Sequence, residues 1–154
     1  MAEVEPSTRR SAERTYLGPP LYAAKVADAM RVGVITCRRE TTLADIAKMM
    51  VGYDVHSVVV SEVGGDRGLW GIVTSLDLAR AADELGSLTA GDVASTELIT
   101  IASNQPLDAA AELMAKHGVT HLVVVQPETT QPVGVISARG VAAAVAYGRS
   151  GAGR

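Results

Sequence analysis

The chain has 154 residues, a net charge of −3, 47% hydrophobic residues and 3% aromatic residues with no phenylalanine. That length suits about one domain with a real core, while the mild acidity and scarce aromatics argue against the basic surface and stacking platform of a nucleic-acid binder. No apolar run approaches the roughly 20 residues of a membrane span, and Met1-Ala2-Glu3-Val4-Glu5-Pro6 lacks the basic start and apolar run of a signal peptide, so a soluble cytoplasmic protein with no nucleic-acid and no membrane partner is expected.

Residues 1–15 carry Glu, Ser, Thr, Arg and Pro with almost no apolar periodicity, and are expected to form a disordered tail that extends to residue 20 and keeps Arg9, Arg10 and Arg14 in water. After Pro19-Pro20, Leu21 to Met30 places apolar residues at helical spacing. Val34-Ile35-Thr36-Cys37 reads as a brief strand. Thr41 or Thr42 then opens a helix whose Leu43, Ile46, Ala47 and Met50 line one face, with Gly52 as its end. Val58-Val59-Val60 is a buried strand, Glu62 to Gly68 a hairpin turn, and Trp70 to Val73 the returning strand. That strand delivers the chain to Thr74 and a helix reaching about Glu84.

The pattern then repeats at an offset of 64: Asp28 matches Asp92, Ile35 matches Ile99, Thr36 matches Thr100, Leu43 matches Leu107, Met50 matches Met114 and Val55 matches Val119. Beyond the hairpin the offset is 63, pairing Gly71 with Gly134, Thr74 with Ser137 and Leu78 with Val141. Pro106, opposite Thr42, suits the first turn of a helix because its missing N–H has no partner there anyway. The expected organisation is therefore a first repeat over 21–84, a second over 85–147, and a disordered tail over 148–154.

The stretch Gly71-Ile72-Val73-Thr74-Ser75-Leu76-Asp77-Leu78 is the one most suggestive of chemistry. If Thr74 caps the helix, the amides of Ser75, Leu76 and Asp77 lack intrahelical partners and point together at an anion, and Asp77 is placed to accept ribose hydroxyls. Thr-x-x-Asp is equally a capping box, in which the carboxylate turns back to the cap amide. His56 and His121 open equivalent strands, but no Cys, Asp or Glu recurs at ligand spacing, so both are read as structural or ligand-edge residues and no metal site is expected. Cys37, the single cysteine, reads as a small buried residue, and Trp70 as a packing or subunit-contact residue. No nucleophile, phosphate loop or paired carboxylate nominates a catalytic site.

A duplicated strand-helix-strand-strand-helix unit, with Asp28-Ala29-Met30 before the first strand and Gly71 to Asp77 at the end, resembles the cystathionine beta-synthase (CBS) domain, two copies of which make a Bateman module. The resemblance covers roughly residues 22–147. It implies an α/β fold of two pseudo-symmetric repeats, each a small three-stranded sheet with two helices packed on one face. It further implies a non-enzymatic sensor that binds an adenine nucleotide (AMP, ADP or ATP) or an adenosyl ligand such as S-adenosylmethionine in clefts between the repeats. Carried over residue by residue, Thr74 would contact phosphate, Asp77 ribose, and Ile35 with Thr36 the base, with His56 at the ligand edge. The second copy keeps Ser137, a further candidate ligand residue whose hydroxyl could hold a phosphate, but has Gly140 where the carboxylate should stand, and neither middle strand is preceded by the His/Arg-x-Pro common in the family. One strong site per chain is therefore expected, with no obligatory cofactor, a homodimer paired through alanine-rich helices, and output through an unknown protein partner. The rival expectation is a dimerisation scaffold that has lost ligand binding.

Overall fold

The structure, a computed structural model, describes residues 16–62 and 68–149. The tail at 1–15, the hairpin tip and the last residues from 150 lie outside the described residues. The chain divides into two compact units, one of residues 33–99 and the other of the segments up to Val32 and from Thr100 onward. Among the described residues, no helix is long and apolar enough to cross a membrane.

In the unit of residues 33–99, Thr42 caps helix α2 (Leu43–Tyr53), its hydroxyl accepting from the Asp45 amide at 3.2 Å. Leu43, Ile46 and Met50 form the buried stripe of that helix. The helix runs through Gly52 and stops at Asp54, whose φ of 53° is left-handed, a conformation Asp tolerates. Gly118 holds the equivalent post in the other unit with φ 65°. Strands β2 (Thr36–Arg38), β3 (Ser57–Ser61) and β4 (Leu69–Thr74) form a sheet in that order, β2 parallel and β4 antiparallel to β3. β2 starts two residues later than the sequence pattern suggests. Helix α3 (Ser75–Arg80) follows, and a 3₁₀ turn at Ala82–Glu84 completes the expected helix.

The other unit echoes this arrangement with β5 (Thr100–Ala102), α5 (Leu107–His117), β6 (His121–Val125), β7 (Pro132–Ser137) and α6 (Ala138–Tyr147). Pro106 is the N-cap of α5, one position earlier than expected. This sheet has four strands where three were expected, because the short β1 (Arg31–Val32) joins β7 antiparallel. Its boundaries also reach further than expected: Tyr16 is buried, and the Arg149 amide donates to the Gly18 carbonyl at 3.1 Å, so 16–20 and 148–149 are packed chain.

The units do not coincide with the repeats of the sequence, since the leading helix of each repeat is built into the unit that holds the other repeat's sheet. α1 (Val26–Ala29) is shorter than the Leu21–Met30 pattern because Lys25 is drawn into an extended bridge with Pro106. Val26 and Ala27 amides donate to the Gln105 and Ser103 carbonyls, and the Leu107 amide to Ala24, all at 2.9 Å. In the unit of residues 33–99, α4 (Ala90–Val93) repeats these bonds at the same offset of 64: Ala90 to Thr41 at 2.8 Å, Gly91 to Arg39 at 2.9 Å, and Leu43 to Leu88 at 3.0 Å. Val26 and Ala90 are both fully buried. The segment after each helix then crosses the last strand of the sheet, Arg31 against Val135 and Ser95 against Ile72.

That crossing explains the glycines of the repeated Gly-x-x-Thr/Ser motif. A Cβ on Gly134 would lie 2.3 Å from the Arg31 carbonyl oxygen, and one on Gly71 2.8 Å from that of Ser95. Gly134→Ala should therefore destabilise the fold by about 1–3 kcal/mol through overpacking against backbone. Gly52→Ala, in the last turn of α2 with open space around its Cβ position, should stabilise by about 0.4–1 kcal/mol. Urea denaturation of the two variants checks both signs.

Candidate functional site

Strand direction assembles the candidate residues of the first repeat. β2 and β3 begin, and β4 ends, at the same edge of the sheet, with Ser57 opposite Thr74 and Thr36 level with Val59. The edge thus carries Ile35 and Thr36, His56 and Ser57, and Thr74 with Asp77. β2 and β4 flank β3, which separates their ends by two strand spacings, roughly 10 Å, about the reach of a nucleoside. Ile35 packs against the core, and its carbonyl accepts from the Val59 amide at 2.9 Å. Thr36 and His56 are exposed, whereas Thr74 and Asp77 are half-buried.

Thr74 and Asp77 form a capping box. The Thr74 amide and hydroxyl both donate to Asp77 Oδ2, at 2.8 and 3.1 Å, while the Asp77 amide faces the Thr74 hydroxyl in return. Asp77 Oδ1 accepts no hydrogen bond from the described residues. The expectation of three converging amides is not met: Ser75 donates to the His56 carbonyl at 3.0 Å, and the Asp77 amide belongs to the box. Leu76 alone retains an uncommitted amide among the three. The same box recurs away from the sheet edge, at Thr89 and Asp92, where the distances are 2.9 and 3.0 Å. Asp28 likewise accepts from the Lys25 amide at 2.8 Å, as a cap. Capping geometry therefore does not by itself mark a ligand site; what distinguishes Asp77 is its place beside the ends of β2 and β3.

Ser137 lies at the corresponding edge of the other unit, paired with His121, and is not part of the edge just described. Its hydroxyl accepts from the Gly140 amide at 3.2 Å, and the Ala138 amide donates to the Thr120 carbonyl at 2.8 Å, as Ser75 does to His56. Gly140 is not in the left-handed region. A Cβ there would meet Ile136 Cδ1 at 2.9 Å and the Ala29 carbonyl oxygen at 3.0 Å. The carboxylate is missing because α1 lies against this position, a packing reason that no local sequence signal announces.

The remaining chemistry-bearing side chains have structural occupations. Burial pushes the Cys37 thiol up to about 11, so it stays protonated at neutral pH and is a poor nucleophile. The Arg39 guanidinium stacks 4.0 Å from the Trp70 ring centre and pairs with Glu62, covering one face of that ring. No cluster of three or more His, Cys, Asp or Glu suited to a metal occurs among the described residues.

A family model described as CBS domain matches twice, over residues 26–84 and 90–147. The chain belongs to the CBS domain family. It is a tandem CBS module, and its mixed α/β architecture is the CBS-pair fold. It is 30% identical over 117 residues to the CBS domain-containing protein YhcV of Bacillus subtilis, covering 74% of this chain and 80% of that protein. It is also 29% identical over 123 residues to a homoserine O-acetyltransferase of Methanosphaerula palustris, covering 80% of this chain but 24% of that protein. The CBS module thus spans about a quarter of the length of the transferase. Among solved structures it is similar to the CBS domain pair of protein MJ0100 in complex with 5′-methylthioadenosine and S-adenosyl-L-methionine, with TM-score 0.67 and 23% identity over 77% of this chain and 93% of that one.

Because α1 blocks position 140, Gly140→Asp should not create a second carboxylate site. It should instead destabilise the protein by about 1–3 kcal/mol as the new Cβ meets backbone, with unchanged ligand stoichiometry. Thermal denaturation and calorimetric titration of the variant measure the two effects separately.

Proposed function

We propose that this CBS module is a regulatory, non-enzymatic ligand sensor that holds one adenine nucleotide or adenosyl ligand per chain at the sheet edge of Ile35, Thr36, His56, Thr74 and Asp77. The observation that carries the reading is the half-buried Asp77 carboxylate, with one oxygen spent on its cap and the other without a partner among the described residues, set beside the starts of β2 and β3. A ribose diol fits such an acceptor. The adenosyl ligands held by the MJ0100 domain pair support it, as does the distribution of motif residues between the repeats. Ligand binding would shift the population of conformational or oligomeric states, and a protein partner would read that shift. A second reading, a dimerisation scaffold without a ligand, draws on the equal geometry of the Thr89 and Asp92 box, which serves capping alone.

Two alanine variants separate these readings. Asp77→Ala and Asp92→Ala each remove a cap partner and should lower ligand-free stability by about 1 kcal/mol. Only Asp77→Ala should also weaken adenosyl-ligand binding, by about 1.5–3 kcal/mol. Calorimetric titration with AMP, ADP, ATP, NAD, S-adenosylmethionine and cyclic dinucleotides should give a stoichiometry near one per chain. Affinity indifferent to Asp77 moves the ligand away from this edge, and no binding across the panel supports the scaffold.

Self-association forms part of the same proposal. Leu76 on α3 and Val145 on α6 are 55% and 66% exposed, and Ala79 and Ala142 beside them are exposed too. Ala144 is fully buried and Ala81 packs on the core, so the contact would use a narrower set of alanines than the sequence pattern implies. A homodimer mass from light scattering at micromolar protein is expected, and Leu76→Glu should shift it toward monomer.

A further inference from the structure

Resting on the reading of self-association through α3 and α6, we infer that two copies of this chain pair head to tail, α3 of one protomer lying antiparallel on α6 of the other. The two helices present unlike faces. On α3 the exposed side chains include Leu76 and Ala79, and the 3₁₀ turn that follows holds Asp83 and Glu84 in solvent. On α6 they include Arg139, Ala142 and Val145, with Arg149 just past the end, and every charge from 138 to 149 is positive. Setting Ala79 opposite the partner's Ala142 in the antiparallel sense brings Leu76 onto the partner's Val145 and Asp83 within one position of the partner's Arg139. The parallel sense with the same alanine pair sets Leu76 against the partner's Arg139 and Asp83 against the partner's Ala146, a mismatch at both places. Pairing α6 with its own copy, Ala142 opposite the partner's Val145, sets Arg139 within one position of the partner's Arg149, where like charges repel.

Helix dipoles favour the same direction. Arg139 stands in the first turn of α6, and Asp83 and Glu84 follow the last turn of α3, so each charge opposes the dipole of its own helix. In the antiparallel pair Arg139 lies by the C-terminal end of the partner's α3, and Asp83 by the N-terminal end of the partner's α6, each beside a dipole end of opposite sign. The opposite ends meet as apolar surface. Leu17, 76% exposed, precedes the Gly18 whose carbonyl takes the Arg149 amide at the end of α6. Val51, 85% exposed, lies in the last turn of α2, which leads to His56 and its bond from Ser75 at the start of α3. A twofold relation makes the contact reciprocal and closes the dimer.

Cysteine cross-linking of the intact chain reads the direction, since Cys37 is buried and does not compete. Ala79→Cys and Ala142→Cys, each oxidised alone, should stay single chains on a non-reducing gel, whereas a mixture of the two after subunit exchange should give a cross-linked dimer. Arg139→Asp and Asp83→Arg should each weaken the dimer about tenfold, and the two together should recover most of that loss. Cross-linking of either cysteine variant alone, a dimer mass with no cross-link in the mixture, or charge reversals whose losses simply add each overturns the inference while leaving self-association intact. A monomer mass for the unaltered chain by light scattering overturns both.

Discussion

The structure depends on a set of backbone hydrogen bonds made twice. Ala24, Val26 and Ala27 bond to Leu107, Gln105 and Ser103, and the residues 64 positions after the first three, Leu88, Ala90 and Gly91, make the same bonds to Leu43, Thr41 and Arg39. Each leading helix is only four residues long, far below the length at which a helix holds itself in water. Its existence therefore rests on docking, through buried Val26 in one unit and buried Ala90 in the other. The exchange means that neither repeat of this CBS chain completes a compact unit from its own contiguous residues.

Two glycines follow from that docking. Once the lead-in segment crosses the last strand, the residue beneath it cannot carry a side chain, and Gly71 and Gly134 sit under the Ser95 and Arg31 carbonyls. The glycine that precedes the hydroxyl in Gly-Ile-Val-Thr and Gly-Val-Ile-Ser is thus a packing residue. Gly140 answers a similar demand from Ala29. The two repeats consequently diverge in chemistry at one position for a steric reason: the first keeps a carboxylate in its capping box, and the second gives that place to a helix contact.

The capping box in turn ties up part of this end of the sheet. Asp77 is shared between holding the start of α3 and facing outward, and Ser75 is tied to β3 through His56. Of the amides of Ser75, Leu76 and Asp77, that of Leu76 alone stays outside these bonds.

Much of this was legible in the sequence because it depends on local periodicity and on internal repetition. The helix of Leu43, Ile46 and Met50, the triple-valine strand, the hairpin partners and the equivalence of the two halves all announce themselves through side chains. The repeated motifs carried the resemblance that implied the tandem CBS organisation, and the Thr74–Asp77 pair stood in the local Thr-x-x-Asp pattern. The capping box was visible as an alternative to converging amides, and tertiary structure decided in its favour. What the sequence could not announce are contacts made by backbone atoms: the exchange of leading helices, the extension of one sheet by Arg31 and Val32, the commitment of the Ser75 amide, and the carbonyl that fills the space above Gly140. Every residue presents the same amide and carbonyl, so such bonds leave no mark in residue identity, and only the path of the folded chain determines which of them meet.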